Sequence, residues 1–272
     1  MATGPTHAVS GLAAWAGVTI AATAHGTSFT PASWILGAVL TTGGALLPDI
    51  DHPPSTVART FGPITRVLAK VVNRFSELVY KVTNTKHDSH RDGGHRTFTH
   101  TIVFAALAGY GTTALLRVGH GQALVALLFV FSGLALRGLL HTWKHGQDGL
   151  AVTVAAAALT GLLWQLLKNQ PDQAVWAGIA VAVGCVAHCL GDTITERGCP
   201  MFWPVPLGLR TWYPVAPPKV MRMRTGGAVE LKLTLPLLML VALWLSAASL
   251  QRIGALPWLH AIHLLPAGTS TA

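Results

Sequence analysis

Residues 149–167 read GLAVTVAAAALTGLLWQLL, a run of 19 residues that contains no Lys, Arg, Asp or Glu. A bilayer core about 30 Å thick needs roughly 17–25 apolar residues in a helix that crosses it. Since unsatisfied backbone groups are costly in lipid, such a run predicts a membrane-spanning α-helix. Seven runs of this kind, with Arg137 as their one charged residue, predict an all-α membrane bundle of about seven spans: 8–24, 32–48, 99–116, 121–140, 149–167, 173–190 and 233–251.

The composition agrees with a membrane protein and argues against a soluble one. Hydrophobic residues make up 51% of the 272 residues and charged residues only 11%, whereas about a quarter of a soluble domain is charged. The three cysteines, Cys185, Cys189 and Cys199, form no CxxC pair. They favour apolar packing over metal binding and argue against a disulfide framework. No Lys or Arg precedes the first apolar run, so we interpret that run as a helix of the mature protein.

Two polar segments interrupt the apolar pattern within what we interpret as a single domain over 1–272. Segment 53–94 places apolar residues at helical spacing among Arg66, Lys70 and Arg74, which predicts a basic amphipathic helix on the membrane surface. Segment 191–232 holds six of the 16 prolines and several Trp and Tyr residues. It predicts an irregular loop at the level of the lipid headgroups.

The basic residues are distributed unequally between the two ends of the predicted bundle. With seven crossings, 16 of the 19 Lys and Arg residues fall on one face, and only Arg117, Lys168 and Arg252 fall on the other. Since positive residues that flank spans stay in the cytoplasm, the basic face is predicted to be cytoplasmic. The net charge of +9 is thus explained by topology and attraction to anionic membrane lipids, and nucleic acid binding is not required.

Most of the histidines and carboxylates that could bind a metal fall on this same face. An ionisable residue at the edge of a membrane bundle is costly and predicts a functional site. The candidate metal ligands are His7, Asp49, Asp51, His52, His95, His100, His188 and Asp192.

Their local spacing is typical of metal ligands. His188 and Asp192 are four residues apart on a helix and share one face. Asp49 and Asp51, two apart in a Pro-flanked turn that we expect to be extended, would point the same way as a terminal and a bridging carboxylate. Mixed imidazole and carboxylate ligands suit Zn²⁺ above all, or Mn²⁺ or Fe²⁺, and such an ion activates water. The sequence therefore predicts a site that generates hydroxide.

Each of these features has a simpler interpretation. His7 could be an interfacial residue, and the turn around Asp49 could merely stop a helix. His95 and His100 could flank a helix cap formed by Thr97 or Thr99. His141 and His145 could be a second metal pair, although placement at the membrane interface is favoured for them. The position of all eight candidate ligands on one face favours the metal site over these simpler interpretations.

The motifs LLPDIDHP, HRTFTHT and HCLGDTITERGCPMFWP resemble those of the YdjM-like family of bacterial inner-membrane, metal-dependent hydrolases of the LexA-regulated type. The resemblance implies metal-site roles for the eight residues named above and a location in the bacterial cytoplasmic membrane. The long basic insert before His95 and the fourth and fifth helices depart from the short family pattern. A more distant similarity, in ligand types and spacing, is to the zinc-dependent phospholipase C and P1 nuclease group. It implies a phosphoesterase in which Asp49 or Asp51 orients the attacking water and Arg96 stabilises the developing charge.

The predicted function is therefore hydrolysis of a phosphoester by a metal-activated water, on a membrane lipid or a lipid-linked substrate. A metal-binding membrane transporter and a non-catalytic membrane module are the alternatives. A transporter would place ionisable residues near the midplane of the membrane, whereas the candidates here lie at predicted helix ends.

Overall fold

The computed structural model describes residues 2–55, 57–88, 94–140, 149–170 and 173–256. Over these ranges the fold is all-α, as predicted, and the only strand-like features are isolated bridge pairs. The helices are α1 (Gly4–Ala24), α2 (Pro31–Gly44), α3 (Pro63–Thr83), α4 (Ile102–Leu139), α5 (Gly149–Leu167), α6 (Ala174–Thr193) and α7 (Leu235–Arg252). All of them except α3 belong to segments that are long and apolar enough to cross a membrane.

Helix α4 consists of two arms separated by a reversal at His120. This residue has φ 43° and ψ −127°, which are not helical values. The first arm starts where Ile102 N donates to Met201 O, and its other end reaches the start of α6, where Thr113 Oγ1 donates to Ala174 O. The second arm returns and brings Gly138 against Gly4. The arms are therefore antiparallel, which confirms about seven spans.

Small residues allow the helices of the bundle to approach closely. A Cβ atom added at Gly178 of α6 would lie 2.5 Å from Gly109 O in the first arm of α4. One added at Gly184 would lie 2.5 Å from Thr41 O in α2. Close backbone approach through small residues is the usual packing of membrane helices, because lipid supplies no hydrophobic force between them.

Two local structures at one end of the bundle differ from the sequence predictions. Residues Phe98–His100 form a 3-10 turn and α4 begins only at Ile102, because the Thr101 side chain caps the helix by accepting from Phe104 N. Residues Leu47–Asp51 also form a 3-10 helix, so the predicted extended turn is wrong. The backbone turns here because Asp49 N donates to Leu46 O and His52 N donates to Asp49 O.

Helix α3 has three arcs with different surroundings. Its inner arc is buried against the bundle end and carries small or polar residues: Thr65, Ala69, Ser76 and Tyr80. Its apolar arc is exposed: Ile64, Val67, Leu68, Val71, Phe75, Leu78 and Val82. The charged arc lies on the remaining side and includes Arg66, Lys70, Arg74 and Lys81. The helix is thus amphipathic, as predicted, and its apolar arc stays exposed even where the ring of Phe98 contacts that of Phe75.

Candidate metal centre

The eight predicted ligands lie together at the end of the bundle where α1 begins and where α2 and α6 end. A continuous chain of side-chain contacts joins them, from His7 stacked on His188 to His52 beside His95. His7, Asp51, His100, His188 and Asp192 have fully buried side chains. Distant segments of the sequence thus meet at one place. The second predicted pair, His141 and His145, lies outside the described residues.

At the centre of this pocket the Nε2 atoms of His100 and His188 lie 3.2 Å apart. His188 Nδ1 is 2.8 Å from Ala45 O, a carbonyl that can only accept, so Nδ1 carries the proton and Nε2 a lone pair. His100 Nδ1 is 3.0 Å from the Thr99 hydroxyl, which donates to Asp51 Oδ2 at 2.5 Å. In its neutral form His100 therefore carries its proton on Nδ1 and a lone pair on Nε2. Two lone pairs that face each other repel, so the 3.2 Å contact requires a positive charge, either a proton on His100 Nε2 or a metal ion.

Two carboxylate oxygens complete the arrangement around these nitrogens. Asp49 Oδ1 lies 3.6 Å from Nε2 of both histidines. Asp192 Oδ2 lies 3.6 Å from His100 Nε2 and 3.8 Å from His188 Nε2. Ligands at about 2.0–2.2 Å from a tetrahedral ion are separated by about 3.3–3.6 Å. The observed separations are close to these values without any movement of the side chains.

Several buried polar atoms at the centre have no hydrogen-bond partner among the described residues. They are Asp49 Oδ1 and both ring nitrogens of His7. The His7 ring stacks on His188 with centroids 3.8 Å apart, and its Nε2 lies 3.5 Å from Asp192 Oδ1. Since buried polar atoms in proteins are almost always satisfied, these atoms fit a bound divalent cation.

The family model of the YdjM inner membrane protein matches residues 1–144 and 149–253, nearly the whole chain. The chain belongs to the YdjM inner membrane protein family. No curated protein and no solved structure matches it. Membership of the family that the three motifs predicted is confirmed, and the distant likeness to the phospholipase C and P1 nuclease group stays a prediction.

In this YdjM family member a second group of side chains lies beside His100, His188, Asp49 and Asp192. Asp51 Oδ1 contacts His95 Nδ1 at 2.7 Å, while its Oδ2 accepts from Arg96 N at 3.2 Å and from the Thr99 hydroxyl. Asp51 therefore has partners on both oxygens, whereas Asp49 Oδ1 accepts no hydrogen bond from any residue that the structure describes. Both carboxylates of the 3-10 turn approach His100, Asp49 at Nε2 and Asp51 at Nδ1. Asp49 also approaches His188, whereas Asp51 approaches His95.

The partly exposed histidines of this second group lie where the pocket approaches solvent. The His95 side chain is 16% exposed, and the ring of His52 lies 4.3 Å from that of His95. Burial lowers the pKa of His52, and the electrostatic interaction with the neighbouring His95 lowers it further. His52 is therefore neutral at physiological pH, the form in which histidine binds metals.

His100, which lies outside the spans, is strongly affected by the carboxylates around it. Burial alone lowers its pKa, but the charge of Asp51 and the close approach of the Asp49 and Asp51 carboxylates outweigh burial and raise the pKa well above its ordinary value. The pocket thus favours a positive charge at this position. His100 would lose that proton on binding a metal ion, since ligands must be deprotonated.

Arg96 joins the segment that carries His95 and His100 to α6. Its guanidinium lies 3.1 Å from Asp192 Oδ2 and donates to Gly198 O at 2.9 Å. Its backbone has φ 58°, and the residue is only 3% exposed. These contacts orient Asp192, and the predicted role of Arg96 towards substrate charge stays a prediction.

Glu230, which sequence analysis missed, fixes the position of α1. It is fully buried and accepts hydrogen bonds from Thr3 N at 2.5 Å, the Thr6 hydroxyl at 2.8 Å and Gly226 N at 2.8 Å. These bonds hold the first turn of the helix that carries His7. Its position could have identified it from the sequence, since Glu230 is a lone acid at the edge of the last apolar run.

Proposed function

We propose that this protein is a membrane-bound, metal-dependent hydrolase that cleaves a phosphoester in a lipid or lipid-linked substrate. The observation that carries the proposal is the convergence of His100 Nε2, His188 Nε2 and Asp49 Oδ1, with separations of 3.2–3.6 Å. This spacing supports Zn²⁺, with Mn²⁺ or Fe²⁺ as alternatives. Such an ion, when bound, lowers the pKa of water towards about 7 and polarises a phosphoryl oxygen.

The two carboxylates of the 3-10 turn have different roles in this proposal. Asp49 Oδ1 has no hydrogen-bond partner among the described residues, so it can accept a proton from the attacking water or bind the ion. Asp51 already accepts hydrogen bonds on both oxygens. It positions His95 and His100, and Arg96 positions Asp192.

The surroundings of the centre support a lipid substrate. Helix α3 contacts the metal-ligand segment directly, since Asn73 Nδ2 donates to Asp51 O at 2.6 Å. Its apolar arc is exposed, with Val71 58% and Phe75 51% exposed, and basic residues lie beside that arc. An interfacial helix of this kind inserts its apolar side among acyl chains and attracts anionic headgroups. The basic residues at this end also favour a cytoplasmic location for the centre.

A non-catalytic metal-binding module is a second candidate, and the burial of the centre favours it. Asp192, His100 and His188 are 0% exposed and Asp49 is 4% exposed. Such burial leaves little access for water, and closed centres are typical of structural metal sites. In the catalytic alternative, water and substrate enter from the side of His52 and His95.

The test uses the full chain purified in detergent or nanodiscs. Metal content is measured by elemental analysis, and hydrolysis of bis(p-nitrophenyl) phosphate and of a panel of phospholipids is measured with and without chelator. His188→Ala and Asp49→Asn are compared with His25→Ala, which changes an exposed histidine outside the centre.

We expect about one tightly bound metal per centre in the wild type and in His25→Ala, and its loss in the other two variants. Chelator should abolish hydrolysis, and Zn²⁺ or Mn²⁺ should restore it. Metal binding without turnover of any phosphoester would refute the enzyme and leave the non-catalytic module. Equal metal content in all variants would refute the centre itself.

A further inference from the structure

A cavity of about 450 Å³ opens at the end of the bundle opposite the candidate metal centre. The reversal at His120, the end of α5 and the start of α6 surround it. Its inner wall is apolar and includes Leu36, Leu124 and Trp164. Its rim is polar and includes Arg117, His120 and Lys168.

The cavity continues as a groove towards the middle of the membrane. The groove runs between the second arm of α4 and α5, with Trp164 lining both the cavity and the groove. Phe129, Ala157 and Gly161 line its far end. From Gly121 to Phe129 the helix rises by about 12 Å, so the groove can hold a considerable length of an acyl chain.

The rim carries positive charge without a visible counter-charge. Neither Arg117 nor Lys168 forms an ion pair with any residue that the structure describes, and no described lining residue is acidic. Asp172 lies outside the described residues. These two cations belong to the face that is otherwise poor in Lys and Arg, where topology does not require them.

We propose that this groove binds an anionic phospholipid from the leaflet opposite the metal centre. Arg117 and Lys168 pair with the headgroup phosphate, and one acyl chain lies along the groove past Trp164 to Gly161. A groove open to hydrocarbon is filled by lipid chains, because water has too few polar partners there. The cations at the rim select an anionic lipid, since each Lys or Arg near such a headgroup contributes about 1 kcal/mol. This site is separate from the proposed hydrolase.

Two glycines provide a matched pair of variants for the test. A Cβ atom added at Gly161 or at Gly111 would meet no atom within 4 Å, so both positions accept a side chain. Gly161 lines the groove, whereas Gly111 lies in the first arm of α4 away from it. Gly161→Leu therefore fills the groove. Gly111→Leu is the control, because it makes the same substitution in a helix but leaves the groove open.

The experiment adds dioleoylphosphatidylglycerol or dioleoylphosphatidylcholine to the full chain in detergent and counts retained lipids by native mass spectrometry. The variants are Gly161→Leu, Gly111→Leu, Arg117→Gln and Lys168→Gln, each checked for an unchanged unfolding temperature. Both cations are exposed, so the charge variants test the site even if Gly161→Leu fails to fold.

We expect the wild type and Gly111→Leu to retain phosphatidylglycerol in preference to phosphatidylcholine. Each charge variant should lower that retention about fivefold, and Gly161→Leu should lower retention of both lipids. The preference for an anionic lipid would be refuted if the wild type retained the two lipids equally. It would also be refuted if both charge variants retained phosphatidylglycerol as well as the wild type does. Wild-type retention by folded Gly161→Leu would overturn its place in the groove.

Discussion

The guanidinium of Arg96 lies 3.1 Å from Oδ2 of Asp192, and neither side chain is more than 3% exposed. This pair connects the His95–His100 segment to the end of α6, so it determines the distance between ligands that belong to different parts of the chain. Removing one partner of a buried ion pair leaves the other charge without compensation, which typically costs about 3–5 kcal/mol.

Arg96→Gln is therefore expected to lower both the free energy of unfolding and the affinity for metal, the latter by about 10–100-fold. Arg96→Lys keeps the charge but loses the forked contacts to Gly198 and Thr195, so it should have an intermediate effect. Chelator competition measures the affinity, and detergent-denaturation curves measure the stability. Arg66→Gln, in the charged arc of α3, is the control. If Arg96→Gln binds metal as tightly as the wild type, Arg96 does not position Asp192.

Asp88, which lies outside the spans, leads to a prediction about how the stability of the protein depends on pH. Its Oδ1 accepts from Thr211 N and Trp212 N at 3.1 and 2.9 Å, and its Oδ2 accepts from Thr85 N at 2.8 Å. Burial raises the pKa of Asp88, but these hydrogen bonds outweigh burial and hold the pKa below its ordinary value of 3.8. The carboxylate thus connects the end of α3 to the segment that contains Thr211 and Trp212.

Asp88→Asn is expected to lower the free energy of unfolding at pH 7 by about 1–2 kcal/mol, because an amide cannot accept all these bonds. The contribution of a carboxylate with a lowered pKa is complete above the unfolded pKa of about 3.9 and is lost as pH falls through the folded pKa. The difference between wild type and variant should therefore stay constant from pH 7 to 5 and shrink below about pH 4. A difference that is equal at pH 7 and pH 3 would contradict the role of the charge.

Most of the fold was predictable because lipid imposes a simple rule on sequence. A span must be apolar over its whole length, so the runs that became α5, α6 and α7 were located to within a few residues. The gathering of His7, Asp49 and His188 followed from the same rule, since counting spans places their helix ends on one face.

The contacts within the site were not predictable, because they depend on packing between distant segments. Asp192 and Ala2 are 190 positions apart, yet Ala2 N donates to Asp192 Oδ1 at 3.0 Å. The partners of Asp49 and Asp51 depend on a 3-10 turn of only five residues, too short to show a hydrophobic period. Asp88 and Glu230 accept from backbone groups, whose positions appear only in the folded chain.

Gly184 tests the close packing that supports the centre. A Cβ atom there would lie 2.5 Å from Thr41 O and 2.7 Å from Ala45 N, both backbone atoms of the segment that accepts a hydrogen bond from His188. Gly184→Ala should therefore destabilise the protein by about 1–3 kcal/mol and weaken metal binding. Gly111→Ala, which meets no atom within 4 Å, should be neutral or stabilising by up to about 1 kcal/mol. Equal unfolding temperatures for the two variants would show that α2 and α6 pack less closely than described.

The apolar arc of α3 leads to a prediction about membrane contact. Val71 is 58% exposed in the protein alone, and the neighbouring Lys70 is also exposed, so accessibility within the protein cannot distinguish them. If α3 lies in the interface, lipid covers Val71 while Lys70 stays in water. The native cysteines are all buried, so a single introduced cysteine can be followed with a membrane-impermeant maleimide.

In inverted vesicles we expect Lys70→Cys to react at least about tenfold faster than Val71→Cys, because an acyl environment excludes both the charged reagent and the thiolate. In sealed right-side-out cells neither variant should react if the basic face is cytoplasmic. Denaturation in detergent should make the two rates equal, which controls for intrinsic reactivity. Equal rates in inverted vesicles would show that α3 stands away from the bilayer, and reaction of Lys70→Cys in intact cells would place the metal centre on the opposite side of the membrane.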